Sequence, residues 1–192
     1  MVKLDRIYTG GGDSGQTSLA TGDRVAKQGP RMQAIGEVDE ANAAVGLARA
    51  ALGGDGVAAA MLEAVQNDLF DLGADLASPG ADADDGRLRI RQSQAERLEA
   101  EIDRVNEALA PLTSFVLPGG SEAAARLHVA RGAARRAERA AWALAAEEPV
   151  NPSALVYLNR LSDLLFVLAR RANANGAEDV LWVPGRSAGA DA

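Results

Sequence analysis

The stretch from Asn151 to Asn173 constrains the fold most. Leu155, Leu158, Leu161, Leu165 and Leu168 recur at spacings of three and four. That spacing gathers them on one side of an α-helix, whereas a strand would scatter them over two faces. Asn151 is a good helix cap, and Pro152 suits the first turn, where no amide hydrogen is needed. A leucine stripe of this length has to be covered by other elements.

Four further segments supply the cover. From Met32, Ala34, Val38, Ala41, Val45 and Ala48 keep helical spacing until Gly53-Gly54. Met61, Leu62, Val65, Leu69, Leu72 and Leu76 do so from about Val57 to Leu76, and Leu98, Ile102, Val105 and Leu109 from about Ser93 to Ala108. After an interruption at Pro111–Gly120, a fourth helix is predicted from Ser121 or Glu122 to about Glu147. Ser78–Gly86, rich in Asp, Ala and Gly, reads as a solvated loop, and a short Val180–Val183 segment lies in the tail. The expected class is all-α, a five-helix bundle with ferritin-like up-down packing. A chain of 192 residues suits one domain. It divides into a glycine-rich segment over 1–31 and a helical bundle over 32–176.

Composition limits the chemistry. There is no cysteine and one histidine, His128. These exclude cysteine-based zinc or redox sites and a multi-histidine metal centre. Acidic residues outnumber basic ones, 27 to 20, for a net charge of -7, which disfavours a nucleic-acid partner. No uninterrupted apolar run approaches the roughly 20 residues of a membrane span, and no cationic stretch precedes an apolar signal core. A cytoplasmic enzyme or binding protein, with no membrane partner, is the expectation.

Several residues stand out. Glycines 10, 11, 12 and 15 allow tight turns with exposed amides, and Thr9, Thr17 and Ser18 add hydroxyls. Such a loop can surround phosphate oxygens or be a plain amino-terminal turn; it lacks the Gly-Lys-Ser/Thr ending of a Walker loop. On the fourth helix Arg131 and Arg135 are one turn apart, with Glu138 a turn further. They form an anion site or an ordinary solvated face, with Arg136 and Arg139 on adjoining faces. Asp39 and Asn42 share a face within Glu37–Asn42; Asp39 is placed to orient an arginine across a groove or to favour the helix dipole. Asn159 and Asp163 interrupt the leucine-rich helix and need partners if buried. His128 reads as a packed, hydrogen-bonded core residue ahead of a direct metal ligand, and Trp142 reads as core first. Phe115, just before Leu117-Pro118-Gly119-Gly120, either projects into a ligand cavity or packs between helices.

In order, Ile7–Leu19 (IYTGGGDSGQTSL), Gly36–Gly46 (GEVDEANAAVG), Phe115–Gly120 (FVLPGG), Leu127–Arg139 (LHVARGAARRAER) and Asn159–Phe166 (NRLSDLLF) resemble the PduO-type ATP:cob(I)alamin adenosyltransferases. The resemblance covers nearly the whole chain. It implies a five-helix subunit assembling as a homotrimer with ATP sites at subunit interfaces. The 5′-deoxyadenosyl group of ATP passes to the cobalt of reduced cobalamin, triphosphate leaves, and Mg2+ accompanies ATP. The resemblance makes residues 1–31 the ATP-binding segment, with Thr9, Gly10, Gly11, Gly12, Gly15, Gln16, Thr17, Ser18 and Lys27 around the nucleotide. It places Arg135 and Glu138 beside ATP and Mg2+, Asn159 at the nucleotide, and Arg131 paired with Asp39 near the corrin. Phe115 covers the lower axial side of cobalt and favours four-coordinate cob(II)alamin, which is easier to reduce; His128 matches no cobalt ligand. A reductase and an adenosylcobalamin-dependent mutase are the implied protein partners.

One departure concerns charge. Family loops commonly read Thr-Gly-Asp-Lys-Gly, where this chain has Gly11-Gly12-Asp13-Ser14-Gly15, and Gly10 stands where relatives often carry Lys or Arg. The missing charges weaken attraction to triphosphate and leave a catalytically weak cobalamin carrier or chaperone as the alternative. A structural bundle would leave the glycine and Phe115 loops unexplained, and another ATP-dependent transferase or phosphohydrolase lacks a Walker lysine and a clear base.

Overall fold

Five helices form where the apolar spacing predicts them. They are α1 (Pro30–Ala50), α2 (Gly56–Leu76), α3 (Gln92–Asn106), α4 (Glu122–Ala145) and α5 (Pro152–Ala172). Each end falls within two residues of its expected position. The computed structural model describes residues 7–82 and 85–187. The first six residues of the expected amino-terminal segment, residues 83–84 of the expected acidic loop and the final five lie outside the described residues.

Side chains on either flank explain the helix limits. Asn151 Oδ1 accepts the Ser153 amide to cap α5, Asp55 Oδ1 accepts the Ala58 amide to cap α2, and Ser121 Oγ accepts the Ala124 amide to cap α4. Past α5, Asn173 receives the Ser121 amide on Oδ1 at 2.9 Å and donates to Gly119 O. Gly120 sits beneath that amide at φ +97, and a Cβ there would lie 2.2 Å from Asn173 Oδ1. Only glycine fits this joint between the Phe115 loop and α4.

α1 packs between α2 and α4, and α5 packs between α4 and α3. The α1–α4 seam is built of small residues: Ala34, Ala41 and Ala48 from α1, and Ala130, Ala134, Ala137 and Ala141 from α4, are fully buried. Small side chains let two helix axes approach closely, which is where the alanine-rich, aromatic-poor composition acts. Leu158, Leu161, Leu164 and Leu165 of α5 are also fully buried, each contributing about 1.5–3 kcal/mol relative to exposure. α5 is long and apolar enough by length and composition to cross a membrane, at mean hydropathy 1.2, but 61% of that window is buried in the bundle. It is a core helix.

Three expectations need correction. The amino-terminal segment is more than a loop: β1 (Gln16–Ser18) and β2 (Arg24–Ala26) pair antiparallel, with Thr17 opposite Val25. Gly22, at φ +90, makes the turn, and buried Leu19 anchors the hairpin. The loop from Ser78 is not simply solvated. Arg89 has a fully buried side chain that bonds Asp75 Oδ1 (2.8 Å), Ser78 O (2.6 Å) and Asp85 Oδ2 (2.5 Å). Trp142 is 57% exposed. Position 142 continues the open stripe of Arg131, Arg135 and Glu138, not the buried row of Ala134, Ala137, Ala141 and Leu144.

Candidate functional site

The glycine loop is shaped by its hairpin. Gly10 and Gly15 take φ of +70 and +79. Turns run from the Asp13 amide to Gly10 O and from the Gly15 amide to Gly12 O. The amide of Lys27, just after β2, bonds Gly15 O at 2.9 Å. Its side chain folds back until Nζ lies 2.8 Å from where a Cβ on Gly12 would stand. Gly12 therefore leaves room for an ammonium against the loop, whereas Ser14 brings no charge to it. Arg24, which the sequence reading passed over, donates to Gly11 O at 2.6 Å and Ser18 Oγ at 3.2 Å. Thr9, Gly10, Gly11, Gly15, Gln16 and Ser18 remain exposed; Gly12 and Thr17 are half-buried. Two cations thus lie against the exposed glycine loop, and their charge suits it to a polyanion.

α4 and α5 carry the second group. Glu138 Oε1 accepts from Asn159 Nδ2 at 3.0 Å, and Asn159 Oδ1 accepts from Arg160 at 2.7 Å. Arg160 in turn donates to Glu99 of α3 at 2.6 Å. Asn159 is therefore held by Glu138 and Arg160 and not by Asp163, which is exposed one turn on. Although the residue as a whole is exposed, partial desolvation of its carboxyl, then Glu138, raise the Asp163 pKa above its ordinary value, while Arg160 and Arg135 pull the other way. Arg135 projects into solvent. Arg136 differs: it holds α1 through Glu37 at 2.5 Å and through Glu40.

The third group surrounds Phe115. Leu112, Ser114, Phe115, Val116, Arg131 and Phe166 line a cavity of about 450 Å³. Phe115 is 77% exposed, its edge against Trp182 with ring centres 6.0 Å apart. The Arg131 guanidinium lies 5.9 Å from the Phe166 ring centre, and its Nε has no protein partner. No lining residue carries a neutral nitrogen or a sulfur able to ligate a metal. Phe166 and Trp182 gave no sequence signal of their own beyond lying in the Asn159–Phe166 and Val180–Val183 segments.

Asp39 is elsewhere. It is exposed in a groove of about 420 Å³ between α1 and α2, with Met32, Ile35, Asn42 and Phe70. The expected Asp39–Arg131 pair is not made within this chain, because α4 shows Arg131 to the Phe115 side while Asp39 opens toward α2. Asn42 is buried and donates to Gln66 O at 3.1 Å.

His128 is buried, as expected, but both ring nitrogens lack a protein hydrogen-bond partner. Burial, then the nearby Arg131 charge, hold its pKa below the ordinary 6.5. The unfolded chain takes up a proton as pH falls through that value before the folded one does, so this residue makes stability decline toward acid. His128→Gln is expected to flatten the fall in Tm between about pH 7 and 5. Equal slopes in the two proteins would contradict this.

Known proteins match over this whole arrangement. The family model described as cobalamin adenosyltransferase matches residues 7–172. A corrinoid adenosyltransferase of Mycobacterium tuberculosis is 52% identical over 187 residues, 96% of each chain. A phenylalanine-to-alanine variant of the Lactobacillus reuteri PduO-type ATP:corrinoid adenosyltransferase, complexed with cobalamin and ATP, has a TM-score of 0.85 at 40% identity, covering 92% of this chain and 99% of that one. An arginine-to-lysine variant from the same organism, complexed with ATP, has a TM-score of 0.84 at 39% identity, covering 92% and 100%.

Proposed function

Because the chain belongs to the cobalamin adenosyltransferase family, it is an ATP-dependent corrinoid adenosyltransferase, and we propose how its residues divide that work. The reduced cobalt attacks C5′ of ATP. A cobalt–carbon bond forms, the C5′–oxygen bond breaks, and triphosphate leaves with the electron pair. The nucleophile belongs to the substrate, so the protein needs no serine or cysteine. It has to align C5′ with cobalt and stabilise charge growing on the leaving oxygen.

The glycine loop, with Lys27 and the hydroxyls of Thr9, Thr17 and Ser18, takes the triphosphate in this reading. Lys27 restores from beyond β2 a charge that Ser14 does not supply. Arg135 offers its fork to the phosphates, and Asn159, oriented by Glu138 and Arg160, meets the nucleotide. Mg2+ binds through one or two carboxylates and substrate phosphates more readily than in an all-protein cage. Glu138, half-buried on α4 one turn from exposed Arg135, is the carboxylate that would hold it together with the ATP phosphates in this reading. When bound, Mg2+ supplies counter-charge to the departing triphosphate.

The observation that carries the corrin assignment is the lining of this cavity: Phe115 and Arg131 face one space with no neutral nitrogen or sulfur, where the one hydroxyl, that of Ser114, is engaged with Trp182 O. The two Lactobacillus reuteri variants provide a second support. Their substituted phenylalanine and arginine are separated by the same number of positions as Phe115 and Arg135. Asp39 lies in a different groove from Arg131, so their pairing requires two subunits. This favours a homotrimer with interface sites, built from one domain per chain. A reductase supplying electrons and a mutase using the product, both in the cytoplasm, complete the reading.

Ser14 favours the second reading, a carrier without turnover; the ammonium of Lys27 against Gly12 weighs against it. An anaerobic reaction with ATP, Mg2+ and pre-reduced cobalamin separates the two. Adenosylcobalamin with one triphosphate per turnover is expected. Cobalamin binding without product would leave the carrier.

A further inference from the structure

We propose that Trp182 is a positioning residue for Phe115, and that residues 179–182 form a strap that fixes the loop bearing it. The proposal rests on the reading of Phe115 as the cover of cobalt's lower face. With its ring 77% exposed, Phe115 is not held in place by the core. An exposed side chain on an irregular loop samples several rotamers, and a group that has to exclude a ligand from one point loses effect in proportion.

The strap supplies the missing restraint. Val116 and Leu181 form an antiparallel bridge. The Leu117 amide bonds Val180 O at 2.7 Å, and the Trp182 amide bonds Phe115 O at 2.8 Å. Ser114 Oγ donates to Trp182 O at 2.7 Å. Above this backbone lattice the Phe115 and Trp182 rings meet at 62°. That edge-to-face arrangement favours one ring orientation.

One buried arginine sets the origin of both segments. Arg170 of α5 donates through Nε to Asp179 Oδ2 at 2.7 Å, where the strap begins, and through Nη2 to Ala110 O at 2.8 Å, where the Phe115 loop begins. Their side chains are only 6% and 3% exposed. Loop and strap thus start from a common point on α5 and meet again at the two aromatic rings.

The test compares Trp182→Ala, Trp182→Phe, Ser114→Ala and Phe115→Ala in the full chain, each with ATP and cob(II)alamin. Electron paramagnetic resonance reads the ratio of four- to five-coordinate cob(II)alamin. Transfer is timed from cob(II)alamin with a chemical reductant and from pre-reduced cob(I)alamin. Trp182→Ala is expected to lower the ratio about threefold to tenfold, the range of one aromatic edge-to-face pair. Trp182→Phe should recover most of it, and Ser114→Ala should lower it less. Transfer from cob(II)alamin should fall more than transfer from cob(I)alamin. An unchanged ratio in Trp182→Ala overturns the proposal. So does an equal loss in both transfer assays without recovery by Trp182→Phe, which would mark a merely structural role. If Phe115→Ala itself leaves the ratio unchanged, the reading of Phe115 fails first and takes the strap with it.

Discussion

Arg135→Ala is expected to lower kcat/KM for ATP by about 10²–10³, the usual effect of removing one preorganised donor from a developing negative charge. Arg135 is exposed, and its backbone carbonyl, not its guanidinium, takes the bond from Arg139. The fold does not depend on its side chain, so thermal stability should stay near that of the parent protein. Arg135→Lys keeps a charge and loses the planar fork, and should recover part of the loss. Glu138→Ala should be comparably damaging by another route. It removes the carboxylate assigned to Mg2+ and releases Asn159, held at 3.0 Å. Steady-state kinetics with cob(I)alamin over a range of ATP and Mg2+ checks both. Near-unchanged turnover in the two variants would remove the α4 site. Arg136→Ala serves as the contrast on the same helix: its bonds go to Glu37 and Glu40, so it should loosen the α1–α4 attachment more than it affects turnover.

That contrast shows what was legible in the sequence. Helix limits could be read because caps and apolar spacing are local: Asn151-Pro152 and Ser121 each act within a turn of themselves, while the Asp55 cap of α2 emerged only in the structure. The same periodicity put Arg131, Arg135 and Glu138 on one stripe, but it did not show that Trp142 continues that stripe into solvent. Burial of a helical tryptophan depends on what lies across from it, which one helix does not encode. Three-residue strands fall below any periodic signal, so the hairpin and Arg24's grip on Gly11 were not visible. The strap was hidden for the same reason, since it joins Ser114 to Trp182 across 68 positions. Asp39 lies in the groove between α1 and α2, and the arginine expected to pair with it, Arg131, lines a different cavity, a separation that spacing along one helix does not encode.

Phe115→Ala is the sharpest test of the corrin side. The ring is 77% exposed, so its loss removes little buried area and the bundle should melt near the parent temperature. What it opens is the side of the cavity where Leu112, Val116 and Phe166 offer only hydrocarbon. Water then reaches the lower axial position of cobalt. An axial oxygen donor raises the energy of the orbital that has to accept the next electron, so five-coordinate cob(II)alamin resists reduction. The variant should convert cob(II)alamin roughly 10- to 100-fold more slowly, the span typical of losing an outer-shell control on a metal centre. Starting from cob(I)alamin the electron is already in place, and the loss should be markedly smaller. Optical and paramagnetic resonance spectra with ATP bound report the four-coordinate fraction directly. A fraction equal to that of the parent would mean that the bound corrin is kept four-coordinate by something other than this ring. A chain with one buried histidine and no cysteine has few groups with which to ligate cobalt, so on the proposed reading it acts by withholding a ligand, and the four-coordinate fraction in Phe115→Ala is the quantity that decides it.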